Sequence, residues 1–354
     1  MFGLFKQVER SSHENRLAYS RQLSVAPMMD WTTRHCRYFH RLLAPKALLF
    51  TEMVTAEAIL HAGPDRFCEF DSTEHPLALQ FGGSNADRLA RAVAAVAPYG
   101  FDEINLNVGC PSDRVQSGRF GACLMAEPGL VADIVRAMQA ETDVPVTVKC
   151  RIGIDNMDKE SGLDKFADAV VGAGCKVLYV HARKAWLNGL SPRENRDIPP
   201  LDYDRVARLA CRISELDIVL NGGLTNVHQI AGQISALNQQ YGPRVFAGVM
   251  VGRAAYQTPD RLSEISADYF GHAPADKYEV LQAMVAYAKI QVAAGIPLHA
   301  ITRHMLGLFN GKKGARQWRH NLGEKARQDG MSAELILTAA EPCLAPLSDE
   351  RVAS

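Results

Sequence analysis

The sequence lacks the features of a membrane, secreted or metal-cluster protein. Its 354 residues contain no uncharged apolar run of 18 residues, so no membrane-spanning helix is predicted. The first 16 residues carry five charged side chains and no long apolar segment, so we expect no signal peptide. The eight cysteines never stand three residues apart, which argues against a zinc cluster or a disulfide framework. We therefore expect a cytoplasmic protein with no bound metal and no membrane partner.

Two further absences concern nucleotides and charge. The chain has neither a G-x-G-x-x-G run nor a P-loop, so a stably bound Rossmann-type dinucleotide is not indicated. Its 39 basic and 39 acidic side chains cancel, so net charge gives no indication of a nucleic-acid partner. Apolar residues make up 47% and charged residues 22% of the chain, which is typical of a globular enzyme.

Short apolar runs of β-type residues recur along the chain, as expected of parallel strands that are covered on both faces. Helix-like segments with one apolar face lie between several of these runs. The alternation predicts an α/β fold of the (β/α)8 TIM-barrel type, with an open doubly wound sheet as the alternative. A barrel needs about 250 residues, which leaves room for an appendage. The eight runs cover residues 23–28, 47–53, 76–82, 103–109, 144–151, 177–182, 217–223 and 248–253.

Beyond residue 271 the apolar spacing is helical and no strand-like run remains, which predicts a small all-helical domain. The predicted helices cover residues 278–294, 299–309, 317–328 and 333–340. We therefore divide the chain into an N-terminal tail, a barrel, a helical domain and a C-terminal tail, at residues 1–20, 21–271, 272–343 and 344–354.

The helical domain carries an uneven charge. Residues 303–327 include seven basic side chains and one acidic side chain, with His304, Trp318 and His320 among them. A solvated helix face can be this basic. A positive surface on a neutral protein is also what contact with a phosphate backbone requires.

The carboxyl ends of the strands should hold the site of a barrel enzyme, because the loops converge there. In this chain those ends carry the side chains of Gln80, Lys149 and His181, and glycine turns that suit phosphate binding. Taken singly, the histidine could be a core residue and the glycines a tight turn, whereas a buried lysine would need a partner. Together they predict an FMN site, in which the lysine and the amide bond the electron-rich edge of the isoalloxazine.

The most informative run is Asn-Leu-Asn-Val-Gly-Cys-Pro-Ser at residues 105–112. It places the thiol of Cys110 at the end of the fourth strand, between a glycine that lets the backbone turn and a proline that ends regular structure. A thiol held there faces a cleft and can exchange a proton. The alternative is a small buried apolar side chain.

This run, with Val115 and Gly121-Ala122 after it, resembles the signature of the tRNA-dihydrouridine synthases, and most closely the bacterial A-type subfamily. The resemblance extends from about residue 22 to about residue 335. It includes residues 301–309 and 314–319, which are similar to the helical domain of the A-type enzymes.

The resemblance implies an enzyme that binds tRNA and uses NADPH, or NADH, to reduce FMN. We expect a monomer, although no residue pattern determines the oligomeric state. The reduced flavin passes hydride to C6 of a uracil flipped out of the D-loop, at uridines 20 and 20a, and Cys110 gives a proton to C5. The implied flavin contacts are Ala26, Pro27, Met28, Gln80, Lys149, His181, Asn221, Gly222, Gly223, Gly252 and Arg253. The implied tRNA contacts are Asn107, Arg183, Arg193, Arg196, Arg303, Arg316 and Arg319.

Two other classes of function remain open from the residues alone. An FMN-dependent barrel that reduces a small pyrimidine or an enone would explain the flavin site, but it would leave the basic helical segment without a role. A non-catalytic RNA-binding protein would explain the basic segment, but it would leave Cys110 without a role.

Overall fold

The computed structural model describes residues 12–344, with the side chains of residues 12, 13, 113 and 114 excepted. The predicted tails therefore lie outside the described residues at 1–11 and 345–354. The described residues begin with a helix, Ser12–Arg21, which covers the second half of the predicted N-terminal tail. Leu17 of this helix belongs to the apolar cluster inside the barrel.

All eight predicted runs form strands, and every pair of neighbours is parallel. The strands are β1 (Leu23–Val25), β2 (Leu49–Thr55), β3 (Leu77–Gly82), β4 (Glu103–Val108), β5 (Val146–Arg151), β6 (Val177–His181), β7 (Asp217–Asn221) and β8 (Gly248–Val251). Their order in the sheet is β1-β8-β7-β6-β5-β4-β3-β2, and a parallel bridge between Ser24 and Leu48 joins its two edges. This joining favours the barrel over the open sheet.

Helices cover the outside of the barrel and build the segment that follows it. In the helix after β3, Leu89, Val93 and Val96 are buried, as the spacing of these residues predicts. The helices are α1 (Ser12–Arg21), α2 (Arg34–Leu43), α3 (Ala56–Ala62), α4 (Asp65–Cys68), α5 (Ala86–Val96), α6 (Asp113–Ser117), α7 (Pro128–Gln139), α8 (Ser161–Gly172), α9 (Tyr203–Arg212), α10 (Val227–Tyr241), α11 (Arg253–Gln257), α12 (Pro259–Phe270), α13 (Lys277–Ala293), α14 (Leu298–Thr302), α15 (Ala315–Gly323) and α16 (Leu335–Leu344). None of these helices is long and apolar enough to span a membrane.

The apolar core has two layers, as a barrel requires. A small cluster fills the barrel interior and includes Phe50, Tyr179 and Met250. A much larger cluster lies between the strands and the surrounding helices and continues into the helices beyond residue 271. Because the strands are buried on both faces, they appear in the sequence as continuous apolar runs.

The helical segment packs against α2 of the barrel. The rings of Tyr38 and Tyr287 stack with their centroids 4.0 Å apart, and the Tyr287 hydroxyl lies 2.7 Å from Nδ1 of His35. The predicted helix over residues 299–309 is wrong beyond Thr302, where turns replace the helix. Gly307 explains the tight packing there, since a Cβ at this position would lie 2.3 Å from the carbonyl oxygen of Gln257.

Candidate active site at the carboxyl ends of the strands

A cavity of about 1200 Å³ opens at the carboxyl ends of the strands. Cys110 and Asn107 line it, and all eleven residues predicted to contact a flavin line it too. These residues come from strands that lie far apart in the sequence. A barrel brings them together because all its parallel strands end on the same face.

The backbone after β4 holds Cys110 at the cavity wall. Oδ1 of Asn107 accepts hydrogen bonds from the backbone N–H groups of Gly109, at 3.1 Å, and Cys110, at 3.0 Å. Gly121, with φ of 72°, lets the chain pass close behind, since a Cβ there would lie 2.6 Å from the Cys110 carbonyl oxygen. The thiol is half-buried, and its Sγ lies 3.5 Å from Oγ of Ser112. Cys110 is therefore a residue of the cavity wall and not a buried apolar side chain.

Lys149 lies on β5, across the cavity wall from the end of β7. Its Nζ donates to Oδ1 of Asn221 at 3.2 Å, and Nδ2 of Asn221 donates to the Met250 carbonyl at 2.7 Å. Burial, together with the positive charge of Arg151, lowers the pKa of Lys149 to about 8. Because its neighbour is a neutral amide, this lysine can accept an electron-rich ligand as its partner.

His181 and two glycines form the next part of the wall. Burial and the surrounding positive charges hold the pKa of His181 well below its usual range, so its imidazole is neutral. Nδ1 of this ring is buried and has no hydrogen-bond partner among the described residues. Gly222 and Gly223 have φ of 113° and 65°, and a Cβ at Gly223 would lie 2.6 Å from Leu201. The orphaned nitrogen and the glycine turn both fit a ligand such as FMN, with the turn open to a phosphate group.

Arg151 lines the cavity but is absent from the flavin and tRNA contacts named above. It donates to the backbone carbonyls of Gly109 at 2.9 Å and of Lys184 and Asn195 at 3.0 Å each. Burial lowers its pKa to about 10. Its position two residues after Lys149 on the same strand could have indicated it, because alternate residues of a strand share a face.

The residues predicted to contact tRNA do not form one cluster. Arg196 lines the cavity, and Arg303 is an exposed residue whose Nη2 donates to the Asp30 carbonyl at 3.4 Å, at the cavity wall. Arg183 donates to the carbonyl of Pro199, and Arg193 is exposed.

The other two arginines, Arg316 and Arg319, lie on α15 around a separate depression of about 920 Å³. Two side chains that stand next to the predicted tRNA-binding arginines in the sequence, Trp318 and His304, are not on the surface. Trp318 is fully buried and donates from Nε1 to the Met305 carbonyl at 3.1 Å, and His304 is buried too. The interpretation that these two side chains belong to an RNA-binding surface is therefore wrong. His320 is exposed and lines the depression.

Known proteins resemble this chain over nearly all of its length. The family model described as dihydrouridine synthase (Dus) matches residues 24–341. The chain is 51% identical over 326 residues to the tRNA-dihydrouridine(20/20a) synthase of Vibrio parahaemolyticus, a match that covers 91% of this chain and 97% of that protein. Proteins of the same name from Shewanella oneidensis and Xanthomonas campestris pv. campestris are also 51% identical. They cover 90% and 92% of this chain, and 93% and 94% of their own lengths.

Proposed function

The chain belongs to the dihydrouridine synthase family, oxidoreductases that act on uridines of tRNA, and we propose that it reduces uridines 20 and 20a of the D-loop to dihydrouridine. Family membership decides among the three classes of function in favour of tRNA modification. The proposal includes a monomer acting in the cytoplasm. The position numbers come from the names of the relatives that match this chain.

The cavity suits FMN as the cofactor. When bound and reduced by NADPH or NADH, FMN would supply hydride to C6 of the uracil ring. Lys149 and Gln80 would bond the pyrimidine edge of its ring system, and His181 would use its orphaned Nδ1. The glycine turns at residues 222–223 and 252–253 would accept the phosphate through their backbone N–H groups, and residues 26–28 would contact the flat ring.

Cys110 carries the proposal, because its thiol is exposed to the same cavity as Lys149 and His181. The Cys110 thiol would give a proton to C5 of a uracil held in this cavity, and the flavin, when bound and reduced, would supply the hydride for C6. The ring would then gain two hydrogen atoms. Asn107 fixes the backbone at Cys110 and therefore the distance from the thiol to the base.

The basic residues supply the contacts to the RNA backbone in this proposal. Arg196 and Arg303 flank the cavity, where the nucleotides next to the flipped uridine would pass. Arg316 and Arg319 lie further away on α15 and suit more distant phosphates.

The test is the variant Cys110→Ala. Dihydrouridine formation in tRNA should fall by about a hundredfold or more, because a positioned proton donor contributes roughly that factor. Flavin content and the oxidation of NADPH should stay close to those of the wild type, since only the proton donor has been removed. The measurements are mass spectrometry of the tRNA nucleosides and the absorbance of the bound flavin.

Cys123→Ala is the matched control, because this half-buried cysteine lies outside the cavity wall and donates to the Phe120 carbonyl. It should keep full activity. Normal turnover of tRNA by Cys110→Ala would contradict the role of the thiol, and loss of the flavin would make Cys110 a structural residue.

A further inference from the structure

A line of side-chain hydrogen bonds crosses the barrel interior and ends at the loop that carries Cys110. Glu103, Asn105 and Asn107 alternate along β4, so all three face the interior. Gln80 of β3 and Thr147 of β5 stand beside them in register with Asn105. All five side chains are buried, with at most 9% of any one residue exposed.

The bonds all run in one direction. Nδ2 of Asn107 donates to Oε1 of Gln80 at 2.9 Å, and Nε2 of Gln80 donates to Oδ1 of Asn105 at 2.8 Å. Nδ2 of Asn105 donates to Oγ1 of Thr147 at 2.8 Å, and that hydroxyl donates to Oε1 of Glu103 at 2.5 Å. The side chains of Asn107, Gln80, Asn105 and Thr147 therefore each donate toward the bottom of the barrel, and Glu103 accepts the last of these bonds.

The two ends of the line decide this direction. At the active-site end, Oδ1 of Asn107 faces two backbone N–H groups, so only the oxygen of its amide fits there. At the other end, the Glu103 carboxylate can only accept, and its Oε2 is held by Nε of Arg21 at 2.8 Å. If the amide of Asn107, Gln80 or Asn105 were turned the other way, two N–H donors would face each other in the buried interior of the barrel. Such an arrangement lowers the population of that orientation by roughly tenfold or more.

We propose that Glu103 and Thr147 are positioning residues, which hold the Cys110 loop in place through the amides of Asn105, Gln80 and Asn107. Glu103 is the first residue of β4, at the opposite end of the barrel from the cavity, and does not line it. Its carboxylate orients the Thr147 hydroxyl, and this orientation passes from one amide to the next as far as the N–H groups of Gly109 and Cys110. The positioning of the loop stands on the geometry alone, whereas its effect on proton transfer rests on the function proposed above.

The test breaks the line at Thr147, because this leaves the ion pair of Glu103 with Arg21 intact. Thr147→Val removes the hydroxyl with little change of shape. Hydrogen exchange in the free protein should become about tenfold faster at the amides of residues 109 and 110, and should not change in the other strands. The kcat for dihydrouridine formation should fall about tenfold, while the KM for tRNA and the rate of flavin reduction by NADPH stay the same.

Two controls separate positioning from stability. Thr147→Ser restores the hydroxyl and should return both readouts to within about twofold of the wild type. Tyr179→Phe removes the hydrogen bond that the Tyr179 hydroxyl donates to Oε2 of Glu103 at 3.2 Å. This bond is not part of the line. The variant should lower the melting temperature without affecting exchange at residues 109 and 110.

The proposal is overturned if Thr147→Val and Tyr179→Phe change exchange alike, because Glu103 would then only stabilise the barrel. It is equally overturned if residues 109 and 110 keep their protection in Thr147→Val. If that variant does not fold, Asn105→Ala interrupts the neighbouring bonds and is judged by the same exchange readout. If Thr147→Val shows the faster exchange at residues 109 and 110 but the wild-type protein forms no dihydrouridine in tRNA, the proposed function is rejected and the positioning of the loop still stands.

Discussion

Lys149 illustrates how burial prepares a side chain for a ligand. Its ammonium is held among apolar strand residues beside a neutral amide, and burial lowers its pKa to about 8. A ligand that brings negative or electron-rich atoms to Nζ favours the charged form and raises this pKa again. The lysine is thus coupled to whatever binds in the cavity, whereas the neutral His181 offers hydrogen bonds without charge.

This coupling predicts a pH dependence of flavin binding. Below pH 8 the free lysine is already protonated, so FMN binds to the charged form without taking up a proton. Above pH 8 binding must take up a proton, so the affinity should fall by up to about tenfold per pH unit until the pKa of the complex is reached. Titration of the flavin absorbance between pH 7 and 9.5 measures this.

Lys149→Met is the matched variant for this experiment, since it keeps the length of the side chain and cannot titrate. It should bind FMN about tenfold or more weakly at pH 7, because a charge-assisted hydrogen bond is lost. Its affinity should not change between pH 7 and 9.5. An equal pH dependence in both proteins would assign the titration to another group.

At the scale of single elements, the basic surface is formed by α15 and by Arg303, which directly follows α14. Arg316 and Arg319 are exposed on one helix, and Arg303 reaches the cavity wall through the Asp30 carbonyl. The buried face of α15 is formed by residues such as Trp318 and Leu322, whereas Arg316 and Arg319 lie on its exposed face, where Arg319 donates to Oδ1 of Asn310 at 3.0 Å.

The triple variant Arg303→Ala, Arg316→Ala, Arg319→Ala should therefore bind tRNA more weakly and with a flatter salt dependence. Each lost phosphate contact lowers the slope of log affinity against log salt by roughly 0.7 to 0.9 units. Flavin content and reduction by NADPH should not change. Filter binding or fluorescence anisotropy over a range of salt concentrations gives the slope.

A control with the same change of net charge replaces Arg136, Arg208 and Arg212 by Ala. These exposed arginines lie on α7 and α9, outside the barrel, and pair with acidic side chains. The control should keep the wild-type slope. If both triple variants flatten the slope equally, only overall charge matters and α15 has no specific contact with the RNA.

At the scale of the whole molecule, the barrel and the helical segment are joined by a buried interface that contains three histidines. Burial is the main cause that lowers the pKa of His35 and His40 to about 4 and that of His304 to about 3. The positive charges of Arg34 and Arg37 contribute to the shift at His35. The charge of Arg303 contributes to the shift at His304. Nε2 of His304 lies 2.9 Å from the Thr33 hydroxyl, which connects the helical segment to the residue before α2.

The interface should weaken in acid. In the unfolded chain these histidines take up protons near pH 6.5, whereas in the folded protein they resist protonation down to about pH 4. Unfolding therefore binds protons across this window, and stability is lost as the pH falls through it. The melting temperature should drop by a few degrees between pH 7 and 5, as measured by circular dichroism.

His304→Gln tests the source of this effect, because glutamine can bond Thr33 and does not titrate. The variant should lose less of its melting temperature between pH 7 and 5 than the wild type. An identical loss in both proteins would place the acid sensitivity elsewhere in the molecule.

The sequence alone determined the barrel and most of the cavity wall. Parallel strands covered on both faces appear as mostly apolar runs, so the eight runs could be located in the sequence, although Glu103, Asn105 and Asn107 interrupt the fourth. Their carboxyl ends must meet on one face, so Gln80, Lys149, His181 and Cys110 could be grouped before any coordinates were known. The run around Cys110 identified the family because its glycine, cysteine and proline stand in a fixed spacing.

Only the tertiary structure decided which polar residues meet inside the barrel and which basic neighbours are exposed. The line from Glu103 through Thr147 to Asn107 depends on the register between three strands, which no local pattern records. Trp318 and His304 stand among arginines in the sequence but are buried. Trp318 lies on the inward face of α15, and His304 lies in the turns after α14, where its ring meets the Thr33 hydroxyl. Local chemistry determines what a residue can do, and packing across long sequence separations determines which partners it meets.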